Sequence, residues 1–217
     1  MLKQPFLIFE KKKSLPNSLC DEIINNYKDD LINGNFVVDN CSYNINYDIK
    51  YKRILKTLNN ELNSSINKYF DLFKNETLIY KKTNFNYDYA LTDRVEKSEI
   101  LPSKNNIFFI INKTEYNNDS QNITIYKKNE SQNNNGIKIF MFIWFLNDCD
   151  GDFMFWNKVK VDNKKGTLLT FPTSFLYQYN EIIKNNTSKY TIYGFIFKKI
   201  SRVIEFTPAK KSYGTLL

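Results

Sequence analysis

The chain has 217 residues, 42% of them hydrophobic and 16% aromatic, which is enough to bury a substantial core and excludes a disordered chain. Its formal net charge is +8, yet Arg53, Arg94 and Arg202 are its only arginines. Because base recognition relies on the planar, bidentate guanidinium group, this composition argues against dedicated nucleic-acid binding. The longest apolar run is far shorter than the ~20 residues of a membrane-spanning helix, which argues against membrane insertion.

Three cysteines, Cys20, Cys41 and Cys149, lie far apart and form no CxxC pair. This spacing supports neither a disulfide framework nor a zinc site, so we expect reduced thiols. The first residues contain no long apolar stretch followed by small residues, so no secretory signal is expected there. An intracellular location is the resulting expectation.

Apolar residues recur at helical spacing in two segments of the first third of the chain. The first runs from Leu19 to Tyr27, with Ser18 as the expected N-cap residue. The second runs from about Ile49 to Phe73 and keeps its apolar residues along one stripe. We expect two amphipathic helices that pack against one face of a sheet.

Strand-like runs follow the helices, separated by clusters of Asn, Asp, Gly and Lys: Ile107–Ile111, Ile123–Tyr126, Ile139–Leu146, Phe153–Val161, Leu168–Phe171, Phe175–Tyr179 and Tyr190–Phe197. Helices first and many short strands afterwards is the pattern of an α+β domain with a β-sandwich or jelly-roll body. No internal repeat or linker divides the chain, so we expect one domain over residues 1–217. Its helical part spans about 17–75, its strand-rich core about 100–206, and its tail 207–217.

One of these runs, Ile139–Leu146, is apolar at every position. A strand with one solvated face alternates apolar and polar residues, so a fully apolar strand must be covered on both faces. We therefore expect a central strand with a second sheet on one face and the helices on the other. The polar segment Asp148–Asp152, with Gly151, predicts a tight turn that folds residues 138–161 into a hairpin.

Several segments in the last third of the chain keep the order and spacing of a known protein core: Ile139–Phe145, Leu146-Asn147-Asp148, Asp150–Phe155, Lys164–Pro172 and Lys189–Phe195. They resemble the C-terminal core of the prolyl 4-hydroxylase-like iron(II)/2-oxoglutarate oxygenases. The resemblance implies a double-stranded β-helix, or jelly roll, with N-terminal helices packed on the major sheet. It also implies the positions of a metal site and a co-substrate site.

The family's first histidine and its carboxylate correspond to Lys128 and Glu130, in the triplet Lys128-Asn129-Glu130. Counting forward from Pro172, the distal histidine corresponds to Tyr179, and the basic partner of 2-oxoglutarate to Lys189. The chain contains no histidine at all, whereas the iron(II) site of this family needs two imidazoles and one carboxylate. A protonated lysine does not ligate a metal, and a phenol with a pKa near 10 is a poor ligand for ferrous iron.

These positions are therefore interpreted as vestigial. The expectation is no iron, no cofactor and no oxidative turnover, that is, a pseudoenzyme and not an enzyme. Lys189 has two interpretations: it holds a dicarboxylate as a point charge, or it is one lysine among many in a polar turn that leads into a strand. We prefer the second interpretation.

Two function classes follow. The first is a catalytically inactive structural or interaction component, with other protein subunits of an assembly as partners. Oxygenase-like domains of this family are common in viruses, and the abundance of Asn, Lys, Ile, Tyr and Phe indicates an AT-rich genome. A viral particle is therefore one assembly in which we expect such a component. The alternative is an active 2-oxoglutarate-dependent, prolyl hydroxylase-like oxygenase with an atypical metal site. Residues 202–206 are expected to add an edge strand, and the last residues are expected either to be disordered in the isolated chain or to reach a neighbouring subunit.

Overall fold

A computed structural model describes residues 7–33, 42–82, 109–114, 136–173, 177–183 and 188–199. These ranges contain two α-helices and two short 3-10 turns, at Ile45–Tyr47 and Ile49–Tyr51. The helices are α1 (Asn17–Ile32) and α2 (Lys52–Lys82). The strands are β1 (Phe9–Lys11), β2 (Ser42–Asn44), β3 (Ile110–Thr114), β4 (Gly136–Phe145), β5 (Gly151–Phe155), β6 (Val159–Val161), β7 (Leu168–Pro172), β8 (Tyr179–Ile183) and β9 (Lys189–Lys199).

The strands form two antiparallel sheets. The large sheet has the order β1-β7-β4-β9-β3-β2, and the small sheet has the order β6-β5-β8. Every described pairing in both sheets is antiparallel. The predicted combination of helices with antiparallel strands is confirmed. The predicted strand at Ile123–Tyr126 and the predicted edge strand at residues 202–206 lie outside the described residues.

β4 lies in the middle of the large sheet and is buried on both faces. One face joins the core that contains both helices, through Phe140, Phe142 and Trp144. The other face joins the core that contains the small sheet, through Met141, Ile143 and Phe145. The prediction of a central strand covered by helices on one side and strands on the other is therefore confirmed.

Both helices bury the apolar stripes that their sequences predict. On α1 these are Leu19, Ile23, Ile24 and Tyr27, and on α2 they are Ile54, Leu58, Leu62, Ile66 and Tyr69. The predicted N-cap is wrong: α1 begins at Asn17, and Ser18 is its second residue. Pro16 precedes the helix in an extended conformation, and its carbonyl accepts from the backbone N–H groups of Leu19 and Cys20. The helix therefore starts without a capping side chain.

The predicted hairpin over residues 138–161 is also wrong. β4 pairs with β7 and β9 in the large sheet, whereas β5 pairs with β6 and β8 in the small sheet. The polar segment between β4 and β5 therefore crosses from one sheet to the other instead of reversing within one sheet. A short hairpin does form, but between β5 and β6, where Trp156 and Asn157 both have positive φ. Two consecutive left-handed residues are the geometry of a type I′ hairpin turn.

Backbone contacts join the N-terminal segment to the end of β4. The N–H of Leu15 donates to the carbonyl of Gly166 at 3.1 Å, and the N–H of Gly166 donates to the carbonyl of Phe145 at 2.8 Å. Gly166 has φ +78°, and a Cβ placed there would lie 2.4 Å from the Leu15 carbonyl oxygen. Only glycine fits this close approach. In the described part of the chain, neither helix is long and apolar enough to cross a membrane.

The two described cysteines differ in exposure, which gives a direct test of the packing. Cys20 lies fully buried on α1, and burial raises the pKa of its thiol to about 11. Cys149 lies half-buried in the segment after β4. Because the thiolate is the reactive form, maleimide at pH 7.5 should label Cys149 in the folded protein and Cys20 only after unfolding. Peptide mass mapping before and after guanidinium treatment measures this, and equal labelling of both in the folded state would contradict the burial of α1.

Candidate functional site

Two of the four predicted site residues lie together between the two sheets. Tyr179 begins β8 and Lys189 begins β9, and both side chains are buried. Lys128 and Glu130 lie outside the described residues, so the predicted triplet stays a prediction. The described part of the site is therefore the part that β8 and β9 contribute.

β8 sends two side chains into the interior because alternate residues of a strand point to the same face. Tyr179 lies opposite Phe155 of β5, and Glu181 lies opposite Phe153. Glu181 is only 7% exposed, which is rare for a carboxylate unless it is paired. Glu181 is not among the residues predicted from the sequence, although its place two residues after Tyr179 puts it on the same face of β8.

Glu181 is paired with Lys189. The Lys189 side chain is 1% exposed and forms an ion pair with the Glu181 carboxylate. Its Nζ also donates to Oδ1 of Asn163 at 3.3 Å. The ring centroids of Phe145 and Phe153 lie 4.5 Å and 5.4 Å from the same Nζ, within cation–π distance.

Lys189 is thus buried at the start of β9 and does not lie in the polar turn before it, which corrects the placement that we preferred from the sequence. Its role toward a dicarboxylate stays a prediction. An ammonium group removed from water is costly unless a counter-charge and further hydrogen bonds offset the loss of hydration. Glu181, Asn163 and the two rings supply these contacts. The turn before β9 is polar in sequence. Within β9, however, alternate residues point to the same face, so Lys189 lies on the face of Tyr193 and Phe195, which pack against the small sheet.

Asn147 fixes the backbone on both sides of Lys189. Its side-chain amide donates to the carbonyl of Ser188 at 2.9 Å, and its side-chain oxygen accepts from the N–H of Tyr190, also at 2.9 Å. The N–H of Leu146 donates to the carbonyl of Tyr190 at 2.9 Å. The Leu146-Asn147 dipeptide that carries part of the sequence resemblance therefore positions the start of β9, and with it the Lys189 side chain.

Tyr179 lies among aromatic rings. Its ring stacks on Phe153 with 4.7 Å between centroids and meets Phe171 edge-on at 5.7 Å. Its hydroxyl contacts the sulfur of Met141 at 4.0 Å. Burial raises the pKa of the phenol strongly, and the negative charge of Glu181 raises it further. The phenol therefore stays neutral at ordinary pH.

The side chains do not fit the iron site that the sequence resemblance implies. That site needs two imidazoles, and the chain contains no histidine. At the distal position stands the neutral phenol of Tyr179, which is a poor metal ligand. Glu181 is engaged by Lys189. Within the described ranges, no three His, Cys, Asp or Glu side chains come together as a metal site would require.

No protein-family profile matches this sequence, and no curated protein does either. Solved structures do match its fold. The viral collagen prolyl hydroxylase of Paramecium bursaria Chlorella virus-1 matches with a TM-score of 0.57 and 11% identity, covering 91% of this chain and 96% of that one. A prolyl-4-hydroxylase of Pseudomonas putida matches with a TM-score of 0.55 and 10% identity, covering 90% and 95%.

A third structure is a prolyl hydroxylase of Trichoplax adhaerens, solved in complex with a peptide fragment of the hypoxia inducible factor oxygen degradation domain. It matches with a TM-score of 0.51 and 14% identity, covering 89% of this chain and 84% of that one. The viral enzyme has also been solved as a complex with 2-oxoglutarate, and that structure matches with a TM-score of 0.56.

These matches correct the expectation that the chain is not an enzyme. That expectation rested on the missing histidines alone, but the solved proteins that share the fold over nine-tenths of the chain are hydroxylases. The sequence resemblance, the two-sheet architecture and the structural matches agree on one conclusion: the chain has the fold of the prolyl 4-hydroxylase-like 2-oxoglutarate oxygenases.

Proposed function

We propose that the chain is a 2-oxoglutarate-dependent oxygenase of the prolyl hydroxylase type with an atypical metal site, and that Lys189 is its co-substrate residue. The single observation that supports this most is the buried Lys189 ammonium between the sheets of a prolyl hydroxylase fold. In this class of reaction one oxygen atom of O2 enters a C–H bond of the substrate. The other enters succinate, which forms from 2-oxoglutarate with loss of carbon dioxide.

The proposal includes the finer fold assignment. We infer that the two facing sheets are the two sides of a double-stranded β-helix, and that residues 1–217 form one domain. The crossing between β4 and β5 supports this, because consecutive strands of a jelly roll alternate between the sheets. The metal would be held by donors other than histidine. Glu130 stays the proposed carboxylate of the first triplet, and Lys128 stays the residue proposed to occupy the place of its histidine, where a protonated ammonium does not ligate.

A polypeptide is the proposed substrate class. Two of the matching structures are a collagen prolyl hydroxylase and a prolyl hydroxylase solved with a peptide fragment. Both names describe those proteins, and the transfer to this chain rests on the shared fold. A proline-rich peptide is therefore the first substrate to test.

A second candidate function is a subunit of a larger protein assembly, such as a viral particle, and it does not depend on whether the site turns over. One observation favours it: Glu181 already supplies the counter-charge of Lys189, so the interior is electrostatically complete without a bound molecule. A domain whose interior needs no bound molecule can serve as a rigid subunit of an assembly. Its proposed partners are other protein subunits.

Turnover distinguishes the two candidates. The full-length protein is purified without added metal, and its metal content is measured by mass spectrometry. It is then incubated with ferrous iron, ascorbate, 2-oxoglutarate and a proline-rich peptide, and succinate is measured by liquid chromatography. The proposal predicts succinate in excess over the protein and a hydroxylated peptide with one added oxygen atom.

The control is the same protein with excess chelator, which should reduce succinate to the level without protein. Succinate at that background level in both samples, together with the absence of bound metal, would overturn the oxygenase proposal. A stable high-mass assembly under those conditions would leave the subunit role as the remaining candidate.

A further inference from the structure

We infer that Glu181 is a built-in occupant of a carboxylate-binding position formed by Lys189 and Asn163, and that a small free carboxylate binds there when Glu181 is removed. Glu181 thus acts as an internal competitor for the ligand. The inference deepens the proposed function, because it concerns the same lysine. Its test needs neither metal nor turnover.

The position offers two donors, and Glu181 engages one of them. Nζ of Lys189 is paired with the Glu181 carboxylate. Nδ2 of Asn163 is also buried, but no hydrogen-bond partner meets it in the described part of the chain. Asn163 is 7% exposed, and its Oδ1 already accepts from Lys189, which fixes the orientation of the amide.

A buried N–H without a partner is uncommon in folded proteins, because its lost hydration is not replaced. A carboxylate has two oxygens with about four lone pairs, so one ligand can accept from the Lys189 ammonium and the Asn163 amide together. Glu181 is limited by its attachment to β8 and leaves the amide unsatisfied. A free carboxylate has no such restraint, which makes it a better match to both donors.

The backbone on which Glu181 stands is the more easily moved side of the pair. Among the described strands, β8 lies at one edge of the small sheet and pairs only with β5. Lys189, by contrast, lies on β9, which pairs with β3 and β4 inside the large sheet. Edge strands lose fewer backbone hydrogen bonds when they shift. A ligand would therefore displace Glu181 and leave Lys189 in place.

The proposed ligand is a small carboxylate whose remaining atoms near the Lys189 ammonium are apolar. Phe145 and Phe153 approach the Lys189 ammonium with their rings, and Tyr179 stacks on Phe153. Apolar rings around the ammonium disfavour a second charge beside the first. Acetate, propionate and a dicarboxylate bound by one end all meet this description, so the experiment compares them.

The test is a chemical rescue of Glu181→Ala, followed by thermal unfolding of the full-length protein in the presence of a chelator. We expect the variant to melt several degrees below the wild type, because the Lys189 ammonium loses its counter-charge. Acetate, propionate, succinate or 2-oxoglutarate should restore the melting temperature in a saturable manner, since only a ligand of the folded state stabilises it. Sodium chloride and propionamide at the same concentration should not.

The apparent affinity for these carboxylates should be at least about tenfold higher in Glu181→Ala than in the wild type, where the internal carboxylate competes. Glu181→Gln provides the same comparison if the alanine variant does not fold. In Glu181→Ala/Lys189→Met the ammonium is absent, so rescue should disappear. In Glu181→Ala/Asn163→Leu one of the two donors is absent, so the rescue by carboxylates should become weaker.

Equal rescue of Glu181→Ala and Glu181→Ala/Lys189→Met would overturn the inference, and so would a Glu181→Ala variant that is as stable as the wild type and unaffected by carboxylates. Neither result bears on turnover. Background succinate together with the absence of bound metal in the previous experiment would overturn the proposed oxygenase activity alone, because the rescue is measured without metal.

Discussion

Replacement of Lys189 by methionine is expected to reduce the free energy of unfolding by about 3–5 kcal/mol. Methionine fills a similar volume, but Glu181 then keeps a carboxylate in the interior without its counter-charge. The loss comes from this uncompensated group more than from the lost contacts of Lys189. Urea denaturation followed by far-ultraviolet circular dichroism measures it.

Lys160 offers a matched control. It forms an ion pair with Asp152, but its side chain is largely exposed, so Lys160→Met should leave the free energy of unfolding nearly unchanged. A third variant, Lys189→Met/Glu181→Leu, removes both charges and should recover most of the loss. If Lys189→Met costs no more than Lys160→Met, the buried ion pair does not exist in solution.

Replacement of Trp144 by alanine is expected to cost about 3–5 kcal/mol, through the cavity that it leaves in the helix-side core. Trp144 is fully buried on β4, where its ring meets Phe142 at 5.4 Å and Phe109 at 6.3 Å between centroids. Its indole N–H donates to Oγ of Ser14 at 3.1 Å. The variant therefore loses ring packing and leaves Ser14 without this donor.

The second tryptophan of the chain is the control. Trp156 lies partly exposed in the turn between β5 and β6, and Trp156→Ala should cost about 1–2 kcal/mol at most. Trp144→Phe should give an intermediate loss, because the phenyl ring keeps part of the packing but donates no hydrogen bond. Equal losses for Trp144→Ala and Trp156→Ala in urea denaturation would contradict the placement of β4.

The central strand was predictable because its residues are apolar on both faces, as two separate cores require. An apolar side chain at every position from Phe140 to Phe145 can only be satisfied by two cores. The helices were predictable for a related reason, since their apolar stripes repeat with the period of the helix. Which strand pairs with which was not predictable locally: the polar residues after β4 indicate a change of direction, but not that β5 enters the other sheet.

The site was partly predictable, and the missed part is its electrostatics. Distances along the sequence from Pro172 identified Tyr179 and Lys189, because strand lengths fix such spacings in a given fold. Glu181 was missed because one acidic residue in a polar segment has the same appearance whether it faces water or the interior. Only the register of β8 against β5 shows that Glu181 faces the interior. The burial of Lys189 then follows, because each charge of the pair makes the burial of the other tolerable.

The position of β4 between two cores also has a consequence for how the protein opens. Neither core can lose its packing while the other stays intact, because Phe142 and Ile143 are neighbours on one strand but belong to different cores. Backbone amides at the middle of β4 should therefore exchange with deuterium only when the whole molecule unfolds. Those of β8, which lies at an edge of the small sheet among the described strands, should exchange through smaller local openings, so the segment that carries Glu181 should open before the middle of β4 does.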